Sequence, residues 1–323
     1  MSQQIELQAN VTEEHAGMRL DQVLSELFSD YSRSRLKEWI IQGQVYIDGR
    51  VADKPREKLQ GCETLTLNAI IEDVIDWQPE PVELDIVYED DDILVINKAA
   101  GLVVHPGAGN HSGTILNGLL YHYPQSRTLA RAGIVHRLDK DTTGLMVVAK
   151  SVAAQTHLVD ALQKREITRE YEAIAIGSMT AGGLVDEPIG RHKTKRTQMA
   201  VDPFGRPAVT HYRVAEKFRQ HTRLRLRLET GRTHQIRVHM AHIGHPLVGD
   251  PVYAGRLRLP KGASDELVQV LRGFQRQALH AAMLRLAHPI SGEMMQWQAE
   301  VPSDMVKVAD ALRRDSEAHD WQI

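Results

Sequence analysis

The chain has 323 residues, 39 Lys/Arg against 42 Asp/Glu, a net charge of -3 and 42% hydrophobic residues, a composition that excludes a disordered, collagen-like or low-complexity protein. No apolar run approaches the 18 residues of a membrane span, and the start MSQQIELQAN has neither the basic nor the apolar region of a secretory signal. The single Cys62 can form no internal disulfide or Cys-based zinc site, so a cytoplasmic protein of two domains is expected. The near-neutral total argues against a nucleic-acid partner only if charge is evenly spread, and it is not. Residues 1–62 carry 8 Lys/Arg and 10 Asp/Glu, residues 63–92 carry none and 11, and residues 93–323 carry 31 and 21. A basic C-terminal block suits a polyanion, because each phosphate neutralised releases counterions. It also suits an ordinary basic surface.

In chain order, Leu20, Val23, Leu24, Leu27 and Phe28 have the spacing of a surface helix. Ser32 can cap a second helix that turns Leu36, Trp39 and Ile40 inward and ends at Gly43. Val45–Ile47 and Val51 flank Asp48-Gly49, a hairpin signal. Arg33, Arg35 and Lys37 lie at the start of the second helix, where a solvated face and an anion site are both open readings. The run RLDQVLSELFSDYSRSRLKEWIIQGQVYIDGRVADKP resembles an S4 domain, a small RNA-binding module. The resemblance implies that Arg33, Arg35, Lys37 and Arg50 meet structured RNA. Residues 1–75 are read as this module and 76–86, acidic and holding Pro79 and Pro81, as a linker.

Residues 87–323 form the second domain. Ile86–Tyr88 and Ile93–Lys98 read as two short strands around the acidic turn Glu89–Asp92. Gly107, Gly109 and Gly113 have the wrong spacing for a dinucleotide loop, and no acidic residue follows at the ribose-binding distance. A polar loop at His136–Thr142 then leads into the buried strand LMVVA. Its Asp139 is flanked by Arg137 and Lys140, cations that favour an ionised carboxylate fit for nucleophile or general base. By residue type alone it could equally be a turn carboxylate. In Thr168–Ile176, Tyr171, Ala173 and Ala175 alternate with Glu170, Glu172 and Ile174, so Tyr171 lies on a strand face. Leu224, Leu226 and Leu228 mark a half-buried strand. Arg232–Ile243 has helical spacing, with Thr233 as a cap. His239, His242 and His245 recur every three residues but lack the glutamate of a zincin, so no metal is expected. Met305, Val308 and Leu312 predict a short helix within 304–323, with a frayed end over Arg313–Asp320.

Three of these segments resemble the signature regions of the RluA/RluD family of ribosomal and transfer RNA pseudouridine synthases. Asn97–Pro106 matches N-K-P-x-G-L-x-V-H-P except for Ala99, His136–Gly144 matches H-R-L-D-x-x-T-S/T-G, and Leu228–His239 matches L-x-T-G-R-x-H-Q-I-R-x-H, followed by H-P-L-x-G-D at His245–Asp250. The resemblance implies an α+β fold, with a catalytic domain on a long mixed, largely antiparallel sheet around a central cleft. It implies isomerisation of uridine to pseudouridine, in large-subunit ribosomal RNA or its precursor, by a monomer without cofactor. It assigns Asp139 the essential carboxylate, Arg232 its ion-pair partner, and Tyr171 the face on which uracil stacks. Arg137 fills the space the base vacates, and His136 and Lys98 join the RNA-contacting set.

Overall fold

The computed structural model describes residues 3–28, 31, 33–71, 77–107, 109–195 and 197–319. They fall into two compact units, Met1–Asp76 and Trp77–Ile323. In the first, β1 (Gln3–Asn10), α1 (Leu20–Leu27), α2 (Arg33–Ile41), β2 (Val45–Ile47), β3 (Arg50–Ala52) and β4 (Thr64–Ile71) follow one another. The strands form an antiparallel sheet in the order β1-β4-β2-β3. The apolar stripe of α1 meets Leu36, Trp39 and Ile40 of α2 in one core with Val45, Leu65 and Leu67. Asp48 and Gly49 take φ of 48° and 80°, the two left-handed positions of a type I′ hairpin. The expected cap Ser32 lies outside the described residues.

The acidic segment contains no regular element from Trp77 to Asp85, as its prolines require. It is nevertheless bound to the second unit, which corrects its reading as a linker. Trp77 and Leu84 pack on that unit's core, Asn117 donates to the Gln78 carbonyl at 2.8 Å, and Glu80 accepts from the Gly113 amide at 2.8 Å.

The second unit runs β5 (Ile86–Glu89), β6 (Ile93–Lys98), α3 (Ile115–His122), β7 (Thr143–Ala149), α4 (Val152–Gln163), β8 (Thr168–Ile176), β9 (Gly183–Asp186), β10 (Ile189–Arg191), β11 (Met199–Val201), β12 (Val209–Lys217), β13 (His221–Leu228), α5 (Gln235–His242), α6 (Asp265–Gly273), β14 (Leu279–Ala287), β15 (Met294–Gln298) and α7 (Ser303–Ala318). Its main sheet has the order β5-β6-β7-β14-β8-β13-β12-β9, with β15 beside β14. The β14–β7 pairing is parallel and the other ladders of this sheet are antiparallel. Strands β6 and β7 are buried on both faces, which is why their sequences are continuous apolar runs rather than alternations. Leu94, Ile96, Met146 and Val148 face one core with Tyr171 and Leu226. Ile93, Val95, Leu145 and Val147 face another under α4. Where β7 begins, Gly144 has φ +112°, and a Cβ there would lie 2.3 Å from the Ala281 carbonyl oxygen. The glycine admits the parallel crossing of β14 directly behind the His136–Thr142 loop.

Two expectations about helices are corrected. The residue before α5 is His234, in the left-handed region at φ 58°, and no side chain caps the helix as Thr233 was expected to. Gln235 organises this turn instead, its Oε1 accepting from the Arg232 amide at 3.0 Å and the Thr230 hydroxyl at 2.7 Å. The last helix is not short: α7 continues to Ala318 through the polar stretch, because its charges find partners. Arg313 forks onto Glu216 at 2.8 and 3.0 Å, and the buried Asp315 accepts two bonds from Arg219 at 2.9 Å each. Among the described residues no helix is long and apolar enough to cross a membrane.

Candidate active site

A cavity of about 570 Å³ opens on the face of the sheet that carries Tyr171. Asp139, Arg137 and His136 enter it from the loop before β7, Tyr171 from β8, and Arg232 from the turn before α5. These five residues, far apart in sequence, are brought together. The loop that presents Asp139 is held by bonds along its length. The Asp139 carbonyl accepts from the Thr142 amide at 3.1 Å, and Lys140 O accepts from the Gly101 amide at 3.0 Å. Asp141 O accepts from Arg276 Nη1 at 3.2 Å, and Thr142 Oγ1 from Gln277 Nε2 at 3.0 Å. A carboxylate on so fixed a loop is preorganised.

The partner of Asp139 differs from the expectation. Arg237 Nη1 donates to Asp139 Oδ2 at 3.0 Å, while its Nε and Nη2 fork onto Asp250 at 2.7 and 3.0 Å. Arg232 instead donates Nε to the Pro207 carbonyl at 3.1 Å. It precedes the helix and sits in the turn, whereas Arg237 lies within α5 on a buried stretch that faces the loop. Burial opposes the Arg237 charge, but the hydrogen bonds and charges of Asp250 and Asp139 outweigh it and hold its pKa above the usual arginine value.

Asp250 and His234 were both missed as site residues. Asp250 Oδ1 also accepts from the Val252 and Tyr253 amides at 2.9 and 3.0 Å, so this buried carboxylate anchors the guanidinium from behind. His234 Nε2 stands 4.0 Å from Asp139 Oδ1. Its Nδ1 is 2.8 Å from the Tyr253 hydroxyl, which accepts from the Met199 amide at 3.0 Å. Burial pushes the His234 pKa down, with Asp139 pulling the other way. The left-handed backbone of His234 is a local strain at the site's edge.

The charged residues lining the cavity are Arg131, Arg137, Arg169, Arg232 and Arg237 against one carboxylate, Asp139. This excess of cations suits a polyanionic ligand. Nearby histidines are kept neutral. Burial and then Arg169 push His136 down to about 3, and burial with Arg131 and Arg137 pushes His105 down to about 4. His136 Nε2 accepts from the Val147 amide at 3.2 Å, as a neutral imidazole can. Burial raises the Tyr171 pKa, partly opposed by Arg169.

Lys98 is not an RNA contact. It is 2% exposed, and Nζ donates to the carbonyls of Ala99, Leu102 and Lys140 at 2.8, 2.8 and 2.6 Å. Burial lowers its pKa to about 7 against the pull of Asp141 and Asp139, while three carbonyl acceptors call for three N–H donors and favour the ammonium. Its work is to tie the Ala99–Leu102 turn to the Asp139 loop. Lys98→Met keeps the volume and leaves those carbonyls without this donor. Thermal or denaturant unfolding should show a loss of roughly 2–3 kcal/mol.

In the first unit, Arg33 and Lys37 are exposed on α2. Arg33 also donates to the buried Asp21 at 3.0 Å, Arg35 lies 5.3 Å over the Trp39 ring, and Arg50 pairs with Glu57. Two of the three histidines that invited a metal reading have separate partners. His239 bonds Thr210 and the Glu187 carbonyl, both at 2.9 Å, and His245 bonds the Ile176 carbonyl at 3.0 Å.

Comparison with known proteins places these features. The pattern of the RNA pseudouridylate synthase family matches residues 92–242, and that of the S4 domain matches residues 18–65. The ribosomal large subunit pseudouridine synthase D of Yersinia pestis is 66% identical over 317 residues, covering 98% of each chain. The protein of the same name from Escherichia coli K12 is 65% identical over 325 residues, covering 99% of this chain and 100% of its own. Among solved structures, human RNA pseudouridylate synthase domain containing 4 is similar with a TM-score of 0.57 at 26% identity, over 71% of this chain and 92% of that one.

Proposed function

The chain belongs to the RNA pseudouridylate synthase family, and on that premise we propose that it converts uridines of large-subunit ribosomal RNA to pseudouridines, with Asp139 as the essential carboxylate. The observation that carries the reading is the carboxylate itself: Asp139 is held by Arg237 at 3.0 Å, on a braced loop, in the cavity that Tyr171 also lines. The reaction breaks the N1–C1′ bond, turns the uracil, joins C5 to C1′, and exchanges the proton on C5 for one on N1. It is an isomerisation, so neither a reductant nor a nucleotide triphosphate enters its balance. Asp139 can serve it by meeting C1′, by meeting C6, or by taking a 2′-proton. In each case a base must first leave its stack, at a cost of a few kcal/mol that is least in an unpaired loop. Arg137, exposed at the cavity mouth, is suited to fill the gap by stacking and hydrogen bonding at once. Tyr171 offers the ring face for the flipped uracil.

The S4 module supplies phosphate contacts through Arg33, Arg35, Lys37 and Arg50. Replacing Arg33, Arg35 and Lys37 together with Gln should weaken binding to the ribosomal RNA and make the plot of log affinity against log salt shallower by about 2–3. The turnover rate at saturating RNA should stay unchanged. An unaltered salt slope would remove these residues from the interface. The function itself is tested by incubating the purified protein with unmodified large-subunit ribosomal RNA and mapping the pseudouridines formed.

A further inference from the structure

Arg169 is a buried cation with no counter-ion. It lies on β8, 8% exposed, two residues before Tyr171 and on the same strand face, and it lines the Asp139 cavity. Among the described residues no carboxylate lies within 4.0 Å of its guanidinium and no hydrogen bond reaches it. Its Nε is buried without any partner. The other buried arginines nearby are handled differently, Arg237 between two aspartates and Arg276 forked onto Asp304. The guanidinium passes close to the turn before α5: a Cβ on Gly231 would fall 2.8 Å from Arg169 Nη1. A buried, unpaired guanidinium is unfavourable in the free protein. Its placement makes sense if the missing acceptor arrives with the ligand.

Two parts of an RNA could supply that acceptor, a phosphate or the flipped base. The position favours the base. Arg169 shares a strand face with the ring that receives the uracil, whereas the phosphates of a flipped nucleotide stay with the chain at the mouth. Resting on the pseudouridine synthase reading, we propose that Arg169 holds a carbonyl oxygen of the flipped uracil, O2 or O4, and stabilises the negative charge that the ring acquires. When N1–C1′ breaks, its electron pair leaves with the base and is delocalised onto those oxygens. When C5 joins C1′ the ring is neutral again, and the C5 proton is then lost as N1 takes one up, so the guanidinium meets a charge that exists only between the two bonds. Addition of the carboxylate to C6 places the charge on O4, with the same consequence. Donors aimed at a developing oxyanion act in this way.

Arg169→Met tests the assignment. The single-turnover rate of pseudouridine formation at saturating RNA should fall about 100- to 1,000-fold. RNA affinity should stay at the wild-type value, and the melting temperature should be unchanged or raised, because the free protein loses a buried charge that had no partner. Arg169→Lys should recover part of the rate. RNA with 2-thiouridine or 4-thiouridine at the target identifies the oxygen: one of them should slow the wild type and leave Arg169→Met no slower than it already is. A wild-type rate in Arg169→Met overturns the assignment. So does a loss of affinity with an unchanged saturated rate, which is the signature of a phosphate contact, and so does a lowered melting temperature that accounts for the lost activity. Wild-type protein that forms no pseudouridine in the same assay overturns the underlying reading instead, so the two failures are distinguishable.

Discussion

Asp139→Asn should lower the single-turnover rate of pseudouridine formation by at least about 10⁴-fold, the scale of losing a reacting group, while the fold survives. The amide keeps the shape of the carboxylate and removes its nucleophilic, basic oxygen. The surroundings argue that little else changes. Arg237 keeps two bonds to Asp250 at 2.7 and 3.0 Å, so its charge remains compensated. The loop remains tied through the Lys140, Asp141 and Thr142 contacts, none of which involves the Asp139 side chain. Stability should therefore move by no more than about 1 kcal/mol. RNA affinity should be equal or higher, because the change removes the one carboxylate from a cavity lined by five arginines that faces a polyanion. A variant that binds, folds and does not turn over separates chemistry from recognition. Gel-shift titration and a single-turnover time course on one preparation read both.

Arg237 carries the second large effect, and here chemistry and stability fall together. Its guanidinium is 5% exposed and serves two carboxylates whose side chains are 14% and 0% exposed. Arg237→Met leaves both without their cation. Asp250 keeps only the Val252 and Tyr253 amides, and the loss should be about 3–5 kcal/mol in denaturant unfolding. Arg237→Lys retains the charge but not the planar fork, and one ammonium cannot reproduce the two-carboxylate geometry. That variant should fold better than Arg237→Met and still lose about 100-fold in rate, since a misplacement of about 1 Å at the reacting group has that effect. Equal rates in Arg237→Lys and wild type would assign Arg237 to the framework alone.

Much of this was legible in the chain because local rules and tertiary packing agree there. The α1 stripe, the Asp48-Gly49 hairpin and the buried strand after Asp139 follow from periodicity and turn chemistry. The segments carrying Asp139 and Tyr171 stood out by pattern, and the fold brings both residues to one cavity. What failed depended on which of two like residues faces inward. Arg232 and Arg237 both lie in the Leu228–His239 motif, and a sequence match alone does not orient them. Arg237 lies in the fully buried stretch Gln235–Met240 of α5, whereas Arg232 precedes the helix, and no periodicity in the sequence marks that difference. Lys98 ends a strand that is apolar on both faces, which should have placed its ammonium inside rather than at the surface. Arg169 shares the parity of Tyr171, so its inward face was readable, but its lack of a partner was not. The polar end of α7 looked frayed because its partners Glu216 and Arg219 lie about 100 positions earlier and nothing local announces them.

The most direct test follows the C5 proton. Large-subunit ribosomal RNA carrying tritium at uridine C5 is incubated with the purified protein, and the tritium released to water is counted beside small-subunit RNA treated in the same way. The account predicts release from the large-subunit RNA in proportion to the pseudouridines mapped, little from the small-subunit RNA, and none with Asp139→Asn. No release by the wild-type protein, or equal release by wild type and Asp139→Asn, would contradict it.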